Sequence, residues 1–545
     1  MASNLFKSTK DILNVDRSTV VVILIYSLFI SLLTLALPVA VQTLVNLVSF
    51  GTLVKPIFIL TTIVFVLLTI GAIIKLSQAI TVENIQQSIF ANITLRFATH
   101  LNQIKFANFR EYRGPELVNR FFEVVTVQKT TGIIFLTMLD ILLQATFSMV
   151  VLAFYHPFLL AFDIMLIIMM TLVILIPYKG ALRAAINESD NKYEVAAWLD
   201  EITQNPLTFR VDENENYALQ QTDNRLYGYV SSRQSHYKYI LKHLIGVSIV
   251  YVVGNTALLG IGGYLVINGQ LSLGQLVAAE LLVNIILTGF VKLGGYLRDY
   301  YDLMAGVVKL TKVLHLSSTQ QKEYHPIDNE ISTYLQNFNS LKVENFLEHK
   351  PGHDKNDTVN FEIRVNQKIL LNDRRLSRAK LLMDQIFSFD TTDYTGKIYI
   401  NGSDIKLFDP YQVRKYFSIV RGFEIFSGTI MDNLCLDKED ILIDDLKYLI
   451  NVFNLTEYID NLPDGYDTEI AGHAFIFNIV FLQKISIIRA LLGKPKLLIL
   501  ENSLDIVPED ELKEILIAIE KYASSLIVTT QRNRVGHYFE STIEL

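Results

Sequence analysis

Apolar residues gather in the first part of the chain in six blocks, at 20–37, 57–74, 132–153, 158–176, 245–267 and 273–293. A bilayer crossing takes about 20 mostly apolar residues, so each block is a candidate span. The connections alternate between short (50–56, 155–157) and long (75–129, 178–243), and the first long one carries Arg96, Lys105, Arg110, Arg113 and Arg120. Cations favour the cytosolic side, which places the long connections and both termini in the cytosol. The opening 1–16 is polar, and the apolar block behind it exceeds a signal-peptide core of about 7–15 residues, so that block should stay in the membrane. After a helical exit at 306–318 and a polar stretch at 319–329 the pattern changes to short runs between turns. Strands are predicted at 341–346, 359–365, 369–371, 397–400, 497–500 and 525–530, and helices at 381–389, 410–415, 446–453, 481–492 and 510–522. The expected architecture is an α-helical six-span membrane domain over 1–318, a linker at 319–330, and an α/β cytosolic domain over 331–545 with a buried parallel layer.

Composition sharpens this in three places. A hydrophobic fraction of 51% agrees with a membrane protein, and a net charge of −7 without a basic run argues against a nucleic-acid partner. The single cysteine, Cys435, excludes a disulfide framework and a cysteine-held zinc, and no metal site is expected. Cys435 also lies far from the N-terminus, so no leading cysteine-protease domain is expected. Three acids fall inside spans: Asp140, Asp163 and Glu280. Charges at that depth are costly, so each is either a residue of a transport pathway or a polar contact holding helices together. Met165, Met169 and Met170 read as packing.

Candidate chemistry centres on 368–389, where a strand, a polar turn and a helix follow in the order that builds a phosphate cradle. Such a cradle uses glycines for close backbone approach, a lysine for the terminal phosphates, and a hydroxyl for magnesium. The turn reads Asn372, Asp373, Arg374, Arg375, Leu376, Ser377, Arg378, Ala379, with no glycine. Asp373 there adds a charge that repels phosphate. The arginines either gather an anion or stay solvated and paired.

The whole chain resembles an ABC exporter half-transporter, a six-span membrane domain fused to a P-loop-type nucleotide-binding cassette, of the kind beside type I secretion and peptide export. The wording that carries the resemblance is REYRGPELVNRFFEVVTVQK (110–129), ESDNKYEVAAWLDE (188–201), GKIYINGSDIKLF (396–408), FSGTIMDN (426–433), LPDGYDT (462–468), IRALLG (488–493) and PKLLIL (495–500). It implies a coupling helix near 106–112. The motif positions themselves depart from the family. Arg378 and Ala379 stand for the lysine and the magnesium hydroxyl, and Arg421 for a glutamine that senses the metal and attacking water. Phe477, Asn478, Ile479, Val480 and Phe481 replace the glycine-rich signature. Glu501 and Asn502 stand for the final acid pair, Pro508 for an aspartate, and Gln531 for the closing histidine.

From those departures the expectation is a cassette that is not an ATPase and takes no ATP or magnesium. The resemblance implies a multi-pass protein of the bacterial inner membrane. Its partners would be the lipid bilayer, a second half-transporter in a homodimer or heterodimer, and export or secretion components. An assembly, scaffold or regulatory protein built on the same fold as a homodimer is the alternative. A weakly active ATP-driven exporter is a third.

Overall fold

The computed structural model describes the chain apart from residues 1–8, 10, 14, 50–53, 105–113, 317–328, 349–357, 374–377, 388–393, 437, 439, 471–476 and 533–534. Two compact units emerge: Met1–Asn102 with Tyr112–Leu316, and Gln103–Glu111 with Ser317–Leu545.

The first unit is helical: α1 (Arg17–Thr34), α2 (Ala36–Ser49), α3 (Val54–Gln103), α4 (Gly114–Phe121), α5 (Glu123–Ile133), α6 (Leu139–Tyr155), α7 (Pro157–Gln204), α8 (Pro206–Phe209), α9 (Asp212–Ile267) and α10 (Leu273–Leu314). Among the described residues, six helical segments are long and apolar enough to cross a membrane, including α3, α7, α9 and α10. The short connections have local causes. His156 is extended and its Nδ1 accepts the Phe158 N–H, with Pro157 opening α7 where its missing N–H costs nothing. Ser272 and Gln275 cap each other's backbone at the start of α10.

Four helices outrun the bilayer. At 56 residues α9 is about 84 Å long, more than twice the hydrocarbon thickness, so its N-terminal half stands in water. The long polar connections at 75–103 and 178–243 are therefore the same helices as the spans, continued beyond the membrane. α10 is the hub, packed against α2, α5, α6, α7 and α9. Its inward face (Leu282, Val283, Ile286, Leu287, Phe290) meets Leu159, Phe162, Leu166 and Leu258.

The second unit holds α11 (Asn329–Gln336), β1 (Ser340–Glu348), β2 (Val359–Arg364), β3 (Lys368–Asn372), α12 (Arg378–Ile386), β4 (Tyr394–Ile400), β5 (Ser403–Asp404), α13 (Pro410–Tyr416) and β6 (Phe417–Arg421). Then come β7 (Gly428–Thr429), α14 (Ile430–Cys435), α15 (Ile443–Val452), α16 (Thr456–Asp460), β8 (Glu469–Ile470), α17 (Ile479–Leu492), β9 (Leu497–Glu501), α18 (Glu509–Tyr522), β10 (Leu526–Thr529) and β11 (Ser541–Glu544). The expected parallel layer is a five-stranded sheet in the order β11-β3-β10-β9-β6. Its central strands are apolar on both faces, as Leu497, Leu498, Ile499 and Leu500 show, because helices cover both sides. A second, antiparallel sheet runs β2-β1-β4-β5.

Candidate functional site

Parallel pairing sets the position of the site. Leu371, Thr529, Glu501 and Arg421 lie level across β3, β10, β9 and β6, so all four strands end on one edge. In open α/β sheets, ligands bind outside that carboxyl edge. The residues the sequence singles out arrive there together: Asn372 ends β3 with Asp373 behind it, Glu501 ends β9 with Asn502 behind it, Gln531 follows β10, and Arg421 ends β6.

Two charges dominate the edge. Arg421 donates from Nη2 to Asp384 Oδ1 at 2.6 Å and from Nε to Glu501 Oε2 at 2.5 Å. The Asp384 side chain is wholly buried. Burial works against the Arg421 charge, but Glu501 and Asp384 outweigh it and hold the guanidinium above its usual range. On the other side, Asp373 is buried and its Oδ2 accepts the Ala379 N–H at 2.8 Å. Asp373 therefore caps α12, where the sequence suggested only a repelling charge. Arg378 and Ala379 open that helix, both buried, while Arg374, Arg375 and Ser377 lie outside the described residues. Asn372 donates to Glu544 at 2.8 Å.

The other positions that the sequence singles out make local contacts. Asn502 sits in the left-handed region (φ 52°), which Asn tolerates, with its N–H on Thr529 and its side-chain oxygen accepting from the Thr529 hydroxyl. The Gln531 N–H donates to Asp505 Oδ2 at 3.1 Å, and Pro508 leads into α18. Asn478 caps α17 by accepting the Val480 N–H at 2.9 Å. Phe477 and Phe481 stack at 5.4 Å and Phe481 is buried against Tyr458, whereas Ile479 is exposed. The coupling helix expected near 106–112 lies outside the described residues.

The three intramembrane acids separate. Asp140 accepts from Lys75 and from Gln78 Nε2 at 3.0 Å, and Gln78 also donates to Ser27 Oγ at 2.7 Å. A π-helical turn at Ile134–Met138 precedes α6, and the Leu136 carbonyl in it takes a further bond from Lys75 at 2.8 Å. Asp140 thus ties α1, α3 and α6 together. Asp163 is buried, and among the described residues neither of its oxygens has a hydrogen-bond partner. Glu280 is exposed on α10, one and two turns from Asn284 and Thr288 on the same face.

Sequence reasoning missed a charged cluster on the water-side ends of the long helices. Glu123 accepts from Lys192 at 2.5 Å and Tyr193 at 2.7 Å, Glu188 from Arg233 at 2.5 Å and His236 at 2.6 Å, and Lys309 pairs with Asp190. The signal lay in acids and bases placed on otherwise apolar helix faces. Asp384, within LLMDQI, carries the same signal. Burial opposes the Glu188 charge, yet the bonds from His236 and Arg233 prevail and hold its carboxyl below the usual range. A depressed folded-state value stabilises the fold above the unfolded value near 4.5 and is lost as pH falls through the folded one. The membrane unit should therefore melt progressively earlier as pH drops below about 4.5, and Glu188→Gln should flatten that slope. Differential scanning fluorimetry across pH 3–7 in detergent checks it.

No family model matches the chain. Its fold does match a solved structure: a bacterial Atm1-family ABC exporter with ATP bound, at TM-score 0.81, over 98% of this chain and 94% of that one, with 14% of residues identical. The chain has the fold of an ABC exporter. Relatives agree. An export ATP-binding/permease protein of Rickettsia bellii is 21% identical over 477 residues, 86% of this chain and 81% of that one. The leukotoxin translocation ATP-binding protein LktB of Mannheimia haemolytica is 27% identical over 285 residues, 52% of this chain and 39% of that one. The alpha-hemolysin translocation ATP-binding protein HlyB of Escherichia coli is 25% identical over 292 residues, at the same coverages. The exporter fold, with six spans and a cytosolic cassette, makes this a multi-pass protein of the bacterial inner membrane.

These relatives overturn two expectations, that the exporter is no ATPase and that ATP and magnesium have no place in it, because each is named an ATP-binding protein. Counting substituted motif positions measures distance from a pattern, and affinity depends on which groups reach the ligand. Among the described residues of the edge, Asp373 accepts the Ala379 N–H and Arg421 donates to Glu501.

Proposed function

We propose that this chain is an export permease subunit that works as a dimer, either of two copies or with a second half-transporter, and that its cassette is the nucleotide-responsive part. The observation that carries the reading is the polar face of α10. Glu280, Asn284 and Thr288 lie four residues apart on one side of the hub helix, at hydrocarbon depth, and Glu280 and Asn284 are exposed in the single chain. A charged and hydrogen-bonding stripe facing lipid is costly, whereas against a watered path shared with a second half it is solvated. One six-span half does not enclose such a path by itself. The naming of LktB and HlyB as translocation proteins for leukotoxin and alpha-hemolysin supports a polypeptide cargo and a place beside export components.

The test is a pair of measurements on protein taken from native membranes in nanodiscs. Mass photometry should report two six-span subunits per particle. A cysteine at position 284 should react with a water-soluble maleimide and form a crosslink across the dimer axis. Monomeric particles with an unreactive position 284 would sink the reading.

A further inference from the structure

Four helices of the membrane unit line a small cavity at their water-side ends. Glu123 comes from α5, Glu188, Ser189 and Lys192 from α7, Arg233 from α9 and Asp302 from α10, around a volume of about 180 Å³. Much of the charge on this wall is paired internally. Lys192 bonds the buried Glu123 and Arg233 the buried Glu188, with both cations half-exposed. Two groups are left over. Asp302 makes no hydrogen bond or ion pair with a described residue, and Ser189, only 8% exposed, has no partner there for its Oγ. Buried hydroxyls in folded proteins are nearly always matched by protein, water or ligand. The wall also carries three carboxylates against two cations, one negative charge in excess.

A ligand that completes this wall brings positive charge and hydrogen-bond donors. An anion would meet Asp302 while Lys192 and Arg233 are already engaged by carboxylates. Among the described residues no group of three acid, histidine or cysteine side chains is placed to hold a metal ion. Water fills the space and leaves the charge uncompensated. A primary ammonium supplies one positive charge and three N–H donors, and its bond to a carboxylate is of the strong, charge-assisted kind. The cavity is smaller than the about 300–1,000 Å³ of drug-sized pockets, so the compound is short. We propose that this cavity binds a small primary-ammonium compound, with Asp302 as its counter-charge and the Ser189 hydroxyl as a further acceptor. Ala185 and Ala305, both buried on the same wall, give its hydrocarbon part an apolar surface. The site lies within one subunit and is independent of the nucleotide response. A ligand there joins α5, α7, α9 and α10, so it stabilises the folded membrane unit by mass action.

The measurement is binding of radiolabelled n-butylammonium to the full chain in nanodiscs of uncharged phosphatidylcholine, with empty nanodiscs as the blank. The unaltered chain should bind it saturably, raise the melting temperature of its membrane unit as the ligand is added, and release the label to excess ethylammonium. Tetramethylammonium, which has the charge and no N–H, should displace it poorly. Asp302→Asn keeps the shape and removes the charge, and should bind about tenfold or more weakly, as expected for a lost bond between charged groups. Ser189→Ala should weaken binding by a smaller factor. Melts without ligand show which variants fold, and either one that does suffices to decide. No saturable binding to the unaltered chain at millimolar ligand overturns the site. Equal displacement by tetramethylammonium overturns recognition of the ammonium N–H groups, and undiminished affinity in a folded variant overturns the assignment to this cavity.

Discussion

Replacing Arg421 with methionine is expected to destabilise the cassette by about 3–5 kcal/mol, the cost of leaving buried charge without its partner. Arg421 is the shared counter-ion of two carboxylates. The Asp384 side chain is fully buried and that of Glu501 is 11% exposed, so water replaces little of what the guanidinium supplies. Domains of this size shift by roughly 2–4 °C per kcal/mol, so the cassette transition should fall by roughly 6–20 °C. A triple change that also carries Asp384→Asn and Glu501→Gln should recover most of the loss, because it also removes the two carboxylates that the guanidinium bridges. Scanning calorimetry distinguishes the outcomes. A shift below about 2 °C for Arg421→Met would show that the three side chains are solvated, and the edge would then be open.

The second large effect has the opposite sign. Asp163 is buried, and among the described residues neither carboxylate oxygen has a hydrogen-bond partner. Burying a polar group without a partner costs about 1–3 kcal/mol in proteins, and a carboxylate more than an amide. Asp163→Leu, which keeps the same heavy-atom branching and removes the polar atoms, should therefore raise the melting temperature of the membrane unit by several degrees. If export falls while stability rises, Asp163 is held at that cost for transport, and the pathway reading applies to it. If both are unchanged or improved, it does no work there. Asp140 gives the contrast. Its bonds to Lys75 and Gln78 make it a cross-helix tie, so Asp140→Leu should destabilise.

Much of the fold is legible in the chain because its signals are local. Six apolar blocks became six spans, and Leu497–Glu501 and Leu526–Thr529 became the central strands foreseen for them. The long connections at 75–103 and 178–204 are uninterrupted helical continuations of the spans, and Pro177, just before the second, is absorbed within α7. β6 and β11 were not foreseen. Phe417–Arg421 follows directly on a helix and is recognised by its pairing with β9, and Ser541–Glu544 is a polar edge strand recognised only by its pairing with β3.

The candidate site divides the same way. Sequence alone determined that the turn after β3 carries no glycine and that acids sit inside the apolar blocks, because residue identity and spacing are all those statements need. Only the tertiary structure decided what the charges there do. Arg421 meets Glu501 80 residues away, Lys75 meets Asp140 across 65, and Glu188 meets His236 across 48. A charge is costly, neutralised or useful according to the partner that folding brings within about 3 Å, and no pattern along the chain encodes that partner. Asp373 shows this most plainly: a repelling charge in the one-dimensional text becomes, once β3 and α12 are in place, the group that satisfies a helix end.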